Sequence, residues 1–263
     1  MNLFYIGIFL LIIFLSLFLY MNTFKPNTSN KVVIFDMDET LGHFVDVGSI
    51  WYGLKQINHN LTKMDFFQLL DLYPEYIRPQ IFEILEYLKQ MKNQNKIDRV
   101  IIFTNNNGPK SWSLTIKDYF NYKLGENLID QVVAAYKIGN KQIEPFRTSH
   151  YKKYTDIIKA CGLNKNTKIC FLDDQKHPRM LHKNVYYLLI QGYNPKISKQ
   201  EIFTRLMKSP LHRLLQSQKN KNTLLFYMNY LKDSQYNLNS FTQAFKEKGQ
   251  NIHKNIHIFV EKF

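Results

Sequence analysis

The chain has 263 residues, a length that suits one α/β domain with a short appendage or one domain with a small second domain. Its two cysteines, Cys161 and Cys170, exclude a disulfide framework and a Cys-x-x-Cys pair, so we expect both thiols to be reduced and buried. The formal net charge of +14 favours anionic partners such as phosphorylated protein, nucleic acid or an anionic membrane surface. Because the positive side chains are spread along the chain, nucleic-acid binding is an alternative and not the first expectation.

The first predicted element is an apolar segment. Residues 3–21 contain no charged side chain and are rich in Leu, Ile and Phe, which matches the roughly 20 residues that a transmembrane helix needs. The first lysines, Lys25 and Lys31, follow this segment, and no small-residue cleavage site lies between them and it. We therefore predict an uncleaved transmembrane anchor at residues 1–22 and a linker at residues 23–30, with the folded domain on the cytosolic side of a membrane.

Apolar, β-branched segments alternate with helical patterns from residue 31 onward. Strands are predicted at Lys31–Phe35, Val100–Phe103, Gln131–Ala135, Lys168–Leu172 and Val185–Ile190. Helices are predicted at Met64–Leu72, after Pro79, at Ser111–Tyr122, and at Tyr151–Cys161 with Gly162 at its end. This alternation predicts an α/β fold with a doubly wound parallel sheet.

The same patterns divide the chain into regions. Residues 31–197 form the predicted α/β domain, and residues 42–76 within it are predicted to be a small insertion over the end of the sheet. Residues 198–263 are polar and rich in Lys and Asn, and they begin with a capping-box pattern from Ser198 to Glu201. We therefore expect a basic, mainly helical C-terminal extension.

Polar side chains directly follow three of the predicted strands. They are Asp36 and Asp38 after the first strand, Thr104 and Asn105 after the second, and Asp173 and Asp174 after the fourth. The carboxyl ends of parallel strands meet at one crevice, so these side chains are expected to lie together. Two carboxylate pairs at one place repel each other unless a cation lies between them, and a site of oxygen ligands without Cys or His favours Mg²⁺.

Each of these patterns is weak on its own, because an Asp at a strand end is often only a turn residue or a helix cap. An EF-hand is excluded, since its glycine position holds Leu41 and its final Glu position holds Val47. His253 and His257 have the spacing of a zinc-binding helix but lack the Glu of that motif, so we expect surface histidines. The joint order of the patterns along the chain is what predicts a catalytic site.

Residues 36–43, DMDETLGH, resemble the DxDxT signature of the haloacid-dehalogenase (HAD) phosphatases. Within them the segment is most similar to RNA polymerase II C-terminal-domain phosphatases and NLI-interacting-factor-like phosphatases, whose Arg-Pro-Gly segment resembles Arg78-Pro79 here. The resemblance covers about residues 31–195 and implies a HAD-like Rossmannoid fold. Three departures leave the substrate open. Gln80 replaces the usual Gly, the second motif IFTNNNG is more similar to that of polynucleotide 3′-phosphatases, and the fourth is Asp-Asp-Gln instead of Asp-Asn-Ser-Pro.

The resemblance implies a role for each carboxylate. Asp36 would be the nucleophile, and Asp38 would be the general acid and then the general base. Asp36, the backbone carbonyl of Asp38 and Asp174 would bind Mg²⁺ directly, and Asp173 would bind it through water or orient a lysine. Thr40 would stabilise the loop at the phosphate-binding site.

The resemblance also implies the groups that hold the phosphate. Thr104 would bind the transferring phosphoryl oxygens, with Asn105 as a helper. The family's lysine, which neutralises charge on the phosphoryl group, lies at the start of the helix before the fourth motif. Lys152 is the preferred candidate, Lys153 is the second and Lys141 is a distant third.

Three functions follow from the sequence. The resemblance and the predicted anchor together favour a membrane-anchored phosphatase of phosphoserine, phosphothreonine or phosphotyrosine in proteins. The Thr-Asn motif and the basic charge favour a phosphatase of nucleic-acid ends or small phosphate esters. The third is a non-catalytic binding or receptor module on a HAD fold, although retention of both Asp36 and Asp38 argues against it. The Lys/Asn-rich composition also resembles that of proteins from large DNA viruses.

Overall fold

The computed structural model describes residues 30–232 and 237–263. The predicted anchor at residues 1–22, and the predicted linker except for its last residue, lie outside the described residues. Within the described ranges, none of the helices combines the length and the apolar character that crossing a bilayer requires. Both cysteines are buried and free, as expected, and burial raises the pKa of each thiol.

Five strands form one parallel sheet. They are β1 (Lys31–Phe35), β2 (Arg99–Phe103), β3 (Ile129–Val133), β6 (Lys168–Asp173) and β7 (Val185–Leu189). Their spatial order is β3-β2-β1-β6-β7, and each neighbouring pair is parallel. Helices flank this sheet, which confirms the predicted Rossmann-like α/β fold. An antiparallel hairpin of β4 (Lys137–Ile138) and β5 (Lys141–Gln142), which the sequence did not predict, follows β3.

Eight α-helices lie in the described residues. They are α1 (Phe44–Ile57), α2 (Lys63–Asp71), α3 (Ile81–Asn93), α4 (Lys110–Leu124), α5 (Tyr154–Ala160), α6 (Lys199–Met207), α7 (Gln218–Met228) and α8 (Leu238–Lys262). Short 3-10 helices occur at Pro74–Tyr76, Pro178–Met180 and Pro210–Leu215. Helix α6 begins at Ser198 as predicted, because the Ser198 hydroxyl accepts a hydrogen bond from the Glu201 N–H. The second hydrogen bond of a capping box, from the Ser198 N–H to the Glu201 carboxylate, is not formed. That carboxylate accepts from Arg205 on the same helix.

The two faces of the sheet contact different hydrophobic clusters. Side chains alternate between the two faces along a strand. Val33 and Phe35 of β1 join a cluster that extends over α1 to α4 and into residues 198–263. Val32 and Ile34 join a smaller cluster that includes Ile157 of α5. Residues 198–263 therefore share the core of the sheet.

The insertion at residues 42–76 packs against the C-terminal region. Helix α2 has the full capping box, in which the side chains of Thr62 and Asp65 each accept from the other's backbone N–H. Helix α1 lies against α7 at Gly53, where an added Cβ atom would be 3.1 Å from the side chains of Leu224 and Tyr227. Glycine at this position therefore lets the two helices approach closely.

Helix α5 begins at Tyr154, not at Tyr151 as predicted. The N–H and hydroxyl of Thr148 both donate to the Asp156 carboxylate within α5, at 2.9 Å for the N–H, and this ties the preceding loop to the helix. Lys152 and Lys153 consequently lie before the first turn of the helix, and the backbone of Lys153 is extended.

The long helix α8 approaches the start of α3 at Gly249. An added Cβ atom there would be 2.6 Å from the Cβ of Gln80 and 2.9 Å from the carbonyl oxygen of Pro79. Gln80 itself has a φ of 68°, a left-handed conformation that favours glycine. The position that holds Gly in the resembling family thus carries a side chain here, and a glycine in α8 accommodates it.

We expect Gly249→Ala to lower the free energy of unfolding by up to about 2 kcal/mol. Alanine stabilises a helix by about 1 kcal/mol relative to glycine. Its Cβ atom would overlap Gln80 and Pro79, however, and such overpacking costs about 1–3 kcal/mol. Urea unfolding of the full-length chain measures the change. Gln250→Ala, at the next and exposed position of α8, is the control and should change stability by less than about 0.5 kcal/mol. Adding Gln80→Gly should restore part of the loss, and no restoration would contradict this origin of the strain.

Candidate active site

The candidate site lies at the carboxyl ends of β1, β2 and β6. The strand order reverses here, since β2 and β3 lie on one side of β1 while β6 and β7 lie on the other. Ligands of open α/β sheets bind at such a point. A cavity of about 330 Å³ occupies it. Its lining includes seven of the predicted site residues, namely Asp36, Asp38, Thr104, Asn105, Lys152, Asp173 and Asp174.

Lys152 connects two of the carboxylates. Its ammonium group donates to Asp36 Oδ1 and to Asp173 Oδ2, the latter at 2.6 Å. Lys152 is only 2% exposed, so both ion pairs are shielded from water. A buried ammonium group is stable only when it is paired in this way, and here it joins the ends of β1 and β6.

The charge state of the two carboxylates differs. Burial raises the pKa of Asp36 to about 7, against the lowering effect of the Lys152 charge. Burial also opposes ionisation of Asp173, but a hydrogen bond from His177 and the charge of Lys152 outweigh it and lower the pKa of Asp173. The His177 Nε2 atom lies 3.2 Å from Asp173 Oδ2. Asp173 is therefore the fixed anion of the site, and Asp36 is the carboxylate whose charge depends on its surroundings.

Three carboxylates are placed to share a cation. Among the described residues, Asp36, Asp173 and Asp174 each offer an oxygen within 4.8 Å of the others. Burial raises the pKa of Asp174, and the negative charges of Asp173 and Glu39 add to the effect. A hard divalent ion relieves such repulsion, and a set made only of oxygen ligands fits Mg²⁺. The residues present therefore fit the predicted metal.

Asp38 is held by a residue that the sequence reasoning did not single out. Asn106 Nδ2 donates to Asp38 Oδ2 at 2.7 Å. The other oxygen, Oδ1, is buried and has no hydrogen-bond partner among the described residues. Burial raises the pKa of Asp38. An oriented carboxyl group that favours its protonated form and presents one unpaired oxygen is suited to exchange a proton with a bound ligand.

Arg147 supports the loop after β2. It is 1% exposed and donates to the carbonyl oxygens of Thr104, at 2.7 Å, and Ala134, at 2.8 Å. A further N–H of its guanidinium group donates to Asn105 Oδ1. The Thr104 hydroxyl accepts from the Asn106 N–H at 2.9 Å. These bonds fix the three residues 104–106, and no local pattern in the sequence around Arg147 indicates this role.

Arg78 supports the loop after β1 in the same manner. It donates to the carbonyl oxygens of Glu39 and Thr40, and to that of Gln191 at 2.7 Å. Its guanidinium group lies near the rings of Tyr193 and Phe245, at 5.5 and 5.4 Å from their centroids. The predicted loop-stabilising residue Thr40 is buried, and its hydroxyl lies 3.5 Å from Asp174 Oδ1.

Two lysine candidates lie away from the cavity. Consecutive side chains in extended backbone point in opposite directions, so Lys153 points away from the site when Lys152 points into it. The Lys153 ammonium group donates to Thr148 Oγ1 at 2.7 Å. Lys141 is exposed on the β4–β5 hairpin. Lys152 is therefore the lysine candidate that lines the cavity, whereas the structure places Lys153 outside it, and a phosphate-binding role for Lys153 stays a prediction.

No protein-family model, curated protein or solved structure matches the chain. The resemblance of residues 36–43 to HAD phosphatases therefore stays a prediction from the sequence. The functional assignment depends on the geometry at the ends of β1, β2 and β6.

Proposed function

We propose that the chain is a Mg²⁺-dependent phosphatase that hydrolyses a phosphate monoester through an aspartyl-phosphate on Asp36. The observation that carries the proposal is the buried Lys152 ammonium group between Asp36 and Asp173, near Asp38, whose pKa burial raises. This arrangement gathers a nucleophile, a proton donor and positive charge in one cavity. A phosphate dianion needs all three to react at neutral pH.

Each residue has a defined part in the proposed reaction. The Asp36 carboxylate forms a bond to phosphorus while the bond between phosphorus and the leaving oxygen breaks, and Asp38 gives its proton to that oxygen. Asp38 then takes a proton from the water that attacks the aspartyl-phosphate, which frees Asp36 and inorganic phosphate. Lys152 neutralises charge on the phosphoryl oxygens, and residues 104–106 position them. Asp36, the Asp38 carbonyl and Asp174 would hold Mg²⁺, with Asp173 binding through water or orienting Lys152, and the ion would supply further positive charge at the phosphoryl group.

The non-catalytic alternative is disfavoured by the energetics of the site. Asp36, Asp38 and Asp174 are kept near one another although burial raises the pKa of each. Such a cluster lowers the stability of the folded protein unless a bound cation or substrate compensates for it. Attachment to a membrane stays a prediction, because it depends on residues outside the described ranges.

We expect the full-length chain to hydrolyse p-nitrophenyl phosphate in the presence of Mg²⁺. EDTA should abolish this activity, and restored Mg²⁺ should recover it. Binding of Mg²⁺ should also raise the midpoint of thermal unfolding, since an ion at 100 times its Kd stabilises the fold by about 2.7 kcal/mol. Asp174→Asn should remove both responses. Asp118→Asn, which changes a surface carboxylate paired with Lys63, is the matched control and should retain both. Hydrolysis that persists in EDTA would contradict the metal requirement.

The stabilisation by Mg²⁺ should increase with pH. The pKa of Asp36 in the folded protein is about 7, above its ordinary value of 3.8. Without metal, the folded state therefore keeps a proton that the unfolded state loses, and the free energy of unfolding falls as the pH rises from about 4 to about 7. Mg²⁺ must displace this proton below pH 7 but not above it. The thermal shift should consequently be larger at pH 8 than at pH 6, and an equal shift at both would contradict ligation by Asp36.

A further inference from the structure

A second, larger cavity lies beside the candidate active site. It has a volume of about 860 Å³, within the range of about 300–1,000 Å³ that is usual for ligand pockets. Its walls come from α1, the start of α2, the start of α4 and α7. We call it the aromatic groove, after the aromatic side chains that line it, which are Phe44, Trp51, Tyr52, Trp112, Tyr227 and Tyr230.

The aromatic groove continues from the proton-donor side of the active site. Val45, Asn106 and Asn107 line both cavities. Asn106 is also the residue that orients Asp38. In the proposed reaction Asp38 faces the leaving oxygen, so the part of the substrate beyond that oxygen extends past Asn106 into the groove.

The groove offers ring surfaces and positive charge. Tyr52 is 56% exposed and Tyr230 is 82% exposed, so both rings are open to solvent along the groove. Tyr52 packs edge-on against Tyr227, with centroids 5.1 Å apart, so its ring is held in place. The Lys55 ammonium group donates to the carbonyl oxygens of His59 and Leu61, and no Asp or Glu lies among the described residues that line the groove.

We propose that the aromatic groove binds the terminal nucleotides of a single-stranded nucleic acid whose end phosphate is hydrolysed at Asp36. The inference rests on the proposed function. Aromatic side chains in a positively charged groove stack with bases whatever their sequence, while lysines contact the anionic backbone. The net charge of +14 favours an anionic occupant, and the rings of the groove favour one that carries bases.

A phosphorylated peptide fits the groove less well. Extended peptides gain affinity when their main chain pairs with the edge of a strand. The described residues that line the groove belong to helices and to the loops at residues 58–62 and 106–109, and no strand edge reaches it. An extended peptide main chain would therefore find no strand to pair with there.

The test compares substrates on the full-length chain. Values of kcat/KM are measured for hexathymidylate with a 3′- or a 5′-phosphate, for phosphoserine and phosphotyrosine hexapeptides, and for p-nitrophenyl phosphate. We expect one of the two oligonucleotides to have the highest value. Tyr52→Leu and Tyr230→Leu should each lower the ratio of the oligonucleotide value to the p-nitrophenyl phosphate value about tenfold, because stacking contributes about 1–3 kcal/mol per base. Tyr122→Leu, an equally exposed tyrosine of α4 outside the groove, should leave the ratio unchanged.

The failures of the two proposals are distinguishable. A higher kcat/KM for a phosphopeptide, or a ratio that neither tyrosine variant changes, overturns the nucleic-acid inference and leaves the phosphatase proposal intact. If no ester is hydrolysed, the phosphatase proposal and the hydrolysis part of the inference both fail, and fluorescence anisotropy of fluorescein-labelled hexathymidylate decides whether the groove binds nucleic acid. Binding that Tyr52→Leu weakens about tenfold supports it, and equal binding by the variant overturns it.

The contribution of Lys55 to nucleic-acid binding is measured by the salt dependence of the binding constant. The logarithm of the binding constant for single strands falls with the logarithm of salt concentration by about 0.7 per phosphate contact. Lys55→Gln should therefore reduce this slope by about 0.7. Lys219→Gln, at an exposed position of α7 outside the groove, is the control and should leave it unchanged. An unchanged slope for Lys55→Gln would overturn the assignment of Lys55 to the nucleic-acid backbone.

Discussion

Asp36→Asn is expected to abolish turnover of p-nitrophenyl phosphate, with a loss of at least about 10⁴-fold, the scale seen when a covalent nucleophile is removed. An amide cannot form the aspartyl-phosphate on which the proposed reaction depends. The variant should fold, because asparagine has nearly the same shape as aspartate and its carbonyl oxygen can still accept from Lys152. Rapid acid quenching with a phosphorus-labelled substrate should trap label on the wild-type chain and none on the variant.

The stability of the same variant provides a separate check. Burial disfavours the charge of Asp36, so its replacement removes an unfavourable carboxylate from the neighbourhood of Asp173. Without Mg²⁺ we expect Asp36→Asn to unfold at the same temperature as the wild type or at a higher one, and circular dichroism should show the same helix content. Normal turnover by a folded Asp36→Asn protein would contradict the assignment of Asp36 as the nucleophile. A variant that is inactive and unfolded would show that Asp36 is needed for the structure.

Lys152→Met is expected to reduce kcat/KM about 10²- to 10³-fold, the effect typical of removing one group that stabilises developing charge. Methionine keeps much of the side-chain volume but leaves Asp36 and Asp173 without their shared cation. Removing one partner of a buried ion pair costs about 3–5 kcal/mol, so the thermal midpoint without Mg²⁺ should fall as well. Added Mg²⁺ should recover part of the stability but not the activity.

Lys153→Met is the matched control for this prediction. It removes the same charge one residue away, where the ammonium group contacts only the Thr148 hydroxyl among the bonds seen in the structure. Its kcat/KM should stay within about twofold of the wild type, as is usual for surface substitutions away from a site. Equal losses in both lysine variants would mean that net charge, and not the position of Lys152, determines the rate.

The strands and the carboxylates of the site could be predicted from the sequence because their signals are local. β1 is a short apolar segment, and Asp36 follows it directly. A parallel sheet then brings the ends of β1 and β6 together without any further information. No local signal distinguishes Lys152 from Lys153, because the difference depends on which side of an extended loop faces the cavity.

The supporting residues could not be predicted, because their contacts join distant parts of the chain. Arg147 contacts Thr104, which is 43 residues away in sequence, and Arg78 contacts Gln191, which is 113 residues away. Helix α1 was also missed. Gly48 and Gly53 weaken its helical pattern, and an added Cβ atom would be 3.2 Å from Trp112 at the first and 3.1 Å from side chains of α7 at the second.

The position of Arg78 has a consequence for the order in which the protein matures during synthesis. Arg78 donates to the carbonyl oxygens of the loop after β1, and one of the two rings near its guanidinium group is Phe245 of α8. Because residues 198–263 share the core of the sheet, a nascent chain that stops before α8 lacks this ring and part of the packing on one face of the sheet. The loop that carries Asp36 and Asp38 therefore gains its full support only when α8 emerges, so a ribosome stalled before this helix would display a candidate site without that support.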